Sequence, residues 1–158
     1  MADGQHHYRV RVRWTGNRGT GTESYRGYER AHELSVSGKP DIPGSSDPAF
    51  RGDPARWNPE ELLLASVSAC HQLWYLHLCA SKGISVIAYE DDAEAVMKED
   101  ASGSGRFVSA TLRPRITLRA GDDALLAQRL HHAAHEKCFI ANSVNFPIAC
   151  EPIIKQQV

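Results

Sequence analysis

Four thiols are the groups of this chain best able to do chemistry: Cys70, Cys79, Cys138 and Cys150. A thiolate attacks an electrophile, is oxidised through sulfenic acid to a disulfide, or ligates a metal; a buried thiol is only a small apolar side chain. Cys70 stands near the middle of "WNPEELLLASVSACHQLWYLHLCASKGI", Trp57 to Ile84, which reads as one nearly all-apolar helix. Helical spacing puts Leu63, Val67, Cys70, Trp74 and His77 on roughly one face. Cys79 follows Cys70 by about 900° of helical turn and points to the opposite side, so these two thiols do not meet. Cys138 opens "CFIANS" just after a helical pattern breaks, and a thiol at a helix N-terminus has its thiolate stabilised by the dipole. Spacing alone does not decide whether Cys70 pairs with Cys138. Cys79 and Cys150 are most simply core residues.

Charged partners for a thiol are few. Arg18 sits in the glycine-flanked turn "GNRGTG". It is either a surface arginine or a guanidinium presented to a thiolate or a polar substrate. Such a cation lowers a thiol pKa and needs a carboxylate to orient it. Glu60 or Glu61 supplies that carboxylate, or both only complement the helix dipole. Glu60 precedes Cys70 by about 15 Å of helix rise and cannot reach the thiol of its own helix. If both serve one site, Glu60 comes from a second chain, and a helix this apolar suits a dimer seam. His71, His77, His131, His132 and His135 were weighed as metal ligands, with His135 and Cys138 at i, i+3 spacing. No H-E-x-x-H or carboxylate-rich pattern frames them and there is no C-x-x-C, so no metal site is expected. A serine hydrolase is not supported either, because G-x-S-x-G is missing.

The elements that must hold these residues follow from the pattern. "YRVRVRWTG" alternates Tyr8, Val10, Val12 and Trp14 against Arg9, Arg11 and Arg13, as a half-buried strand does. "TGNRGTGT" is a turn, and "ESYRGYERAHELSV" continues an antiparallel meander. Ser37 to Trp57, with four prolines and three glycines, is a long loop of the kind that carries function. Asn58 is the N-cap of the long helix and Pro59 its first residue, and Gly83 ends it after about Lys82. "ISVIAYEDDAEAVM" and "RFVSATLRPRITLR" are two strands joined by "KEDASGSG". Asp122 to Lys137 is an amphipathic helix with a stripe of Leu125, Leu126, Leu130 and Ala133/Ala134. "CFIANSVN" is a short helix beginning at Cys138, and "FPIACEPIIKQQ" a last, edge-like strand. This irregular order favours α+β over a doubly wound α/β sheet.

Bulk properties narrow the function. The 158 residues suggest a single domain, 1–158, with room for a core. Eighteen basic residues against nineteen acidic give no reason to expect nucleic acid or a charged membrane surface as partner. Polar residues interrupt the long helix, which argues against a membrane span. The N-terminal segment turns strand-like at once, without a leader pattern, so a reducing, cytoplasmic setting is expected and a static disulfide framework is not.

Taken together, "NPEELLLASVSAC" (Asn58 to Cys70), "WTGNRGTGT" (Trp14 to Thr22) and "HEKCFIANSV" (His135 to Val144) resemble the OsmC/Ohr family of thiol-dependent peroxidases, in the family's order and approximate spacing. The resemblance implies a small α+β fold with antiparallel sheets and a long central buried helix, forming an intertwined homodimer with two sites at its interface. It implies Cys70 as the peroxidatic cysteine, Cys138 as the resolving cysteine, Arg18 as the arginine that activates the thiolate, and Glu60 as the glutamate that holds it. The chemistry it implies is reduction of a hydroperoxide by the Cys70 thiolate, then a Cys70–Cys138 disulfide reduced by an external dithiol, a lipoylated protein or a thioredoxin-like one. An apolar wall of Leu63, Val67, Leu73 and Trp74 would favour organic hydroperoxides. No metal, flavin or haem is required. The chain departs from the family pattern at His71, where an aromatic residue is common, and at Phe139 and Ala141, where Pro and Ser are usual. The alternatives are a non-catalytic relative binding an apolar small molecule in the same cleft, and a metal-binding or redox-sensing module built on Cys138, His135 and other histidines.

Overall fold

A computed structural model describes residues 4–158. They form two compact units, one ending at Leu62 and the other running Leu63–Val158.

The first unit holds an antiparallel sheet of β1 (Arg11–Trp14), β2 (His32–Ser35) and β3 (Ile42–Gly44), in that spatial order. Register runs Arg11 to Ser35 and Trp14 to His32, then His32 to Gly44. The alternation at Tyr8 to Trp14 does make a strand, but only its second half joins the ladder. Its apolar face is not half-buried: Val10 and Val12 are 60% and 63% exposed. The expected continuation of the meander is shorter too, because residues 21–28 are turns and bends. Arg30 organises them, its guanidinium lying 4.4 Å from the Tyr25 ring centre and 4.1 Å from that of Tyr28 while donating to both their carbonyl oxygens. The long loop contains β3, then a single 3₁₀ turn at Pro48–Phe50, and returns to the sheet through a bridge between Gly44 and Trp57.

The long helix, α1 (Pro59–Ser81), starts as its sequence dictates. Asn58 Oδ1 accepts the Glu61 N–H at 2.8 Å, and Glu61 Oε2 accepts the Asn58 N–H at 3.1 Å. This reciprocal cap satisfies two of the orphan donors of the first turn. Gly83, at φ 73°, ends the helix as expected. By length and hydropathy α1 is apolar enough to cross a membrane, a property shared by helices that pack on protein.

The second unit sets α1 and α2 (Ala124–Lys137) with two three-stranded sheets. The two long strands read from the sequence are four: β4 (Val86–Asp91), β5 (Glu94–Glu99), β6 (Gly105–Leu112) and β7 (Pro114–Leu118). The terminal strand is likewise β8 (Ile148–Cys150) and β9 (Ile153–Gln156). All three breaks fall at one level, so the sheets order as β4-β7-β9 and β5-β6-β8. Pro114 and Pro152 lack the N–H a continuous ladder needs. Asp91 fills the gap, accepting the Arg113 N–H at 2.6 Å and the Ser68 hydroxyl at 2.5 Å. Arg113 reaches Glu94 and Glu151 across the break. The sheets are mixed rather than wholly antiparallel, since β8 and β9 run parallel to β6 and β7; α2 provides the length such a crossover requires.

The core of this unit is Tyr75, Cys79, Ile84, Ile116, Leu118, Ala127, Leu130 and Ala134. The buried stripe of α1 is therefore Val67, His71, Tyr75 and Cys79, and that of α2 is Ala127, Leu130, His131 and Ala134. Leu125, expected inside, is 73% exposed. Its place is taken by alanines, which let α2 approach closely, and by a histidine.

Candidate active site

In the first unit the glycine turn presents Arg18. Asn17 Oδ1 accepts the N–H groups of Gly19 and Gly21 at 2.8 and 2.9 Å, and both glycines have positive φ. Gly16 meets a different demand: a Cβ there would lie 1.9 Å from the Glu29 carbonyl oxygen. Glu29 N–H donates to Gly16 at 2.8 Å and Trp14 Nε1 donates to the Glu29 carbonyl at 2.8 Å, which brings residue 29 back beside the turn. Arg18 and Glu29 form an ion pair there. Sequence reasoning missed Glu29, since a separation of eleven positions through turns gives no periodic signal. Glu61 is committed to the helix cap; Glu60, half-buried beside it in the first turn, is the carboxylate left for another role.

In the second unit Cys70 and Cys138 are neighbours, close enough for the Cys70 thiol to raise the pKa of Cys138. Cys70 is half-buried on α1, while Cys138 is fully buried. Both are free thiols. Cys138 does not open a helix: it is the C-terminal cap of α2, its N–H donating to the His135 carbonyl at 3.2 Å, and a 3₁₀ turn follows only at Ala141–Ser143. The end of a helix disfavours an anion, the reverse of the sequence expectation. Burial first, and then the neighbouring Cys70 thiol, push the Cys138 thiol up to about 11, against smaller opposing help from the Ala141 N–H at 3.3 Å. Two free thiols side by side are placed to be joined as a disulfide when one of them is oxidised.

The apolar residues read as a wall are unevenly disposed. Val67 is 1% exposed on the buried stripe, Leu63 and Trp74 are half-buried, and Leu73 is 67% exposed. Trp74, one turn beyond Cys70, packs edge-on against Phe139 with ring centres 5.6 Å apart, and Lys137 Nζ lies 5.7 Å from its ring. Phe139 is thus a neighbour of the dithiol that the sequence marked only as a departure. Cys79 is fully buried and burial raises its thiol pKa, so it is the inert core residue expected. Cys150 is not simply core: it lies against His71 and His131.

Residues 52–152 match the family described as OsmC-like protein. With the fold and the paired cysteines above, this makes the chain a member of the OsmC-like family. Among solved structures it is similar to an OsmC-like protein of unknown function from Vibrio cholerae, at 30% identity and TM-score 0.83, covering 94% of this chain and all of that one. An organic hydroperoxide resistance protein from Legionella pneumophila has the same fold at 17% identity and TM-score 0.67, covering 96% and 99% of the two chains. So does the organic hydroperoxide resistance protein OhrB of Bacillus subtilis, at 22% identity and TM-score 0.60, covering 94% and 98%. Among curated proteins, no sequence matches this chain.

Proposed function

We propose that the chain is a cytoplasmic, homodimeric thiol peroxidase that reduces organic hydroperoxides. The observation that carries this reading is the proximity of two free thiols, half-buried Cys70 and fully buried Cys138. The Cys70 thiolate attacks the distal oxygen of the hydroperoxide; the O–O bond breaks, the alkoxide takes a proton to leave as alcohol, and Cys70 becomes a sulfenic acid. The Cys138 sulfur then displaces that hydroxyl, which leaves as water with the Cys138 proton, and a disulfide forms. An external dithiol, lipoylated or thioredoxin-like, returns both thiols by exchange.

Arg18 is the cation for the Cys70 thiolate in this reading, held by Glu29 and, across the dimer, by Glu60. Exposed apolar side chains at Val10, Val12, Trp57 and Leu73 support a second chain as partner. Trp74 and Phe139 give an organic substrate an apolar surface near the reacting sulfur. The hydroperoxide-resistance relatives support the substrate class. The test is turnover of tert-butyl hydroperoxide with a dithiol reductant by the wild type and by Cys70→Ser. Turnover by the wild type alone is expected; equal rates would remove Cys70 from the reaction.

A further inference from the structure

We propose that His71, His131 and Cys150 bind one divalent transition-metal ion, with zinc the best fit, through Nε2, Nδ1 and Sγ. The three residues come from α1, α2 and β8. His71 Nε2 lies 3.0 Å from His131 Nδ1, and the Cys150 sulfur lies 3.7 and 3.8 Å from those two nitrogens. Zinc takes nitrogen at about 2.05 Å and sulfur at about 2.3 Å; tetrahedral angles then separate two nitrogens by about 3.3 Å and a nitrogen from sulfur by about 3.6 Å. The triangle matches these spacings within a few tenths of an ångström. Each ring must turn by roughly 35° to aim its lone pair off the N···N line toward the sulfur.

The surroundings suit an ion better than a plain core contact. In the metal-free chain the two imidazoles share a single hydrogen bond, which leaves His71 Nδ1 and His131 Nε2 buried without a partner. Apolar side chains would fill the same volume without that cost. Both rings are already in the neutral form that coordinates metal: burial lowers His71 to about 4 and His131 to about 3. Tyr75 stacks on His131 with ring centres 3.9 Å apart and fixes its orientation. A cavity of about 290 Å³ lined by Gln128, His131, His135 and Cys150, among others, adjoins the triangle and gives an entry path and a place for water as fourth ligand. Three protein ligands with one solvent position is the open arrangement of zinc sites rather than the closed one. Asp91, whose charge favours cations at His71, adds to the attraction. No sequence motif marks the site, because its ligands are spread from residue 71 to residue 150.

Cobalt(II), which replaces zinc and reports thiolate ligation, tests this without reference to peroxide turnover. Reduced wild type titrated with cobalt chloride should develop a thiolate-to-cobalt charge-transfer band that saturates at one ion per chain and is displaced by zinc. Cys70→Ser should keep the band; Cys150→Ser should weaken binding by roughly 100-fold or more, one of three protein ligands being lost. Calorimetry of the wild type in two buffers adds a readout independent of any variant: about one proton should be released per ion, from the Cys150 thiol, since both imidazoles are already neutral. Absence of the band in wild type, or its loss in Cys70→Ser with retention in Cys150→Ser, would overturn the site.

Discussion

The Cys138 thiol, fully buried at the end of α2, lies beside Cys70 on α1, and burial together with that neighbour raises its pKa to about 11. The two sulfurs differ in access: Cys70 is half-buried, whereas Cys138 is closed to solvent.

Substitution at the remaining α1 thiol should separate chemistry from packing. Cys79→Ser should leave peroxide turnover nearly intact, because Cys79 lies on the buried stripe with Val67, His71 and Tyr75. It should cost about 1–3 kcal/mol of stability through a buried hydroxyl. Urea unfolding beside turnover measures both; a Cys79→Ser chain that is folded and inactive would mean that the wrong thiol has been assigned.

The Arg18–Glu29 pair is exposed, at 59% and 47% of the side chains, so its effect on stability should be small, under about 1 kcal/mol. Arg18→Ala should slow oxidation of Cys70 about tenfold or more while leaving the fold intact. Gly16→Ala should act on the same step indirectly, by forcing the Glu29 backbone away from the turn. Stopped-flow oxidation rates with circular dichroism as the folding control decide it; an unchanged rate in Arg18→Ala would leave that arginine a surface residue.

Acid should destabilise the fold through the imidazole pair. His71 and His131 have folded pKa values depressed from 6.5 to about 4 and about 3, chiefly by burial. Below 6.5 the unfolded chain binds protons that the folded chain refuses, so their contribution is fully present above that value and is lost as pH falls through the folded values. For His71 alone the loss is on the order of 3 kcal/mol. The other titratable groups facing the pair include Asp91, Tyr75, His135 and Cys150. Unfolding midpoints in urea should fall steadily from pH 6.5 toward pH 4, and a flat profile would show that the rings are not buried neutral.

Removing the helix cap gives a purely local effect. Asn58→Ala should cost about 1 kcal/mol, since the Glu61 N–H loses its side-chain acceptor while the backbone N–H that the Glu61 carboxylate accepts is kept. The denaturation midpoint should shift without a change in slope.

The helix start and its glycine stop were legible because each rests on local chemistry that a few adjacent residues encode. The buried face of α1 was not. Apolar residues surround that helix, so periodicity cannot choose between the stripe of Cys70 and the stripe of Cys79. The strand breaks were hidden for another reason. Pro114 and Pro152 were visible, but only Asp91, bound to the Arg113 N–H from a different strand, shows that the bends align. The place of Cys138 turned on one residue: a pattern break at position 138 reads equally as the end of one helix or the start of the next. Glu29 and the His71, His131 and Cys150 triangle depend on chain crossings that no local pattern announces.

The most direct measurement is the intact mass and peptide map of the reduced protein before and after one equivalent of cumene hydroperoxide. The account predicts the loss of two hydrogens per chain and a peptide joining Cys70 to Cys138. Two untouched thiols, or a disulfide that leaves either of them out, would contradict it.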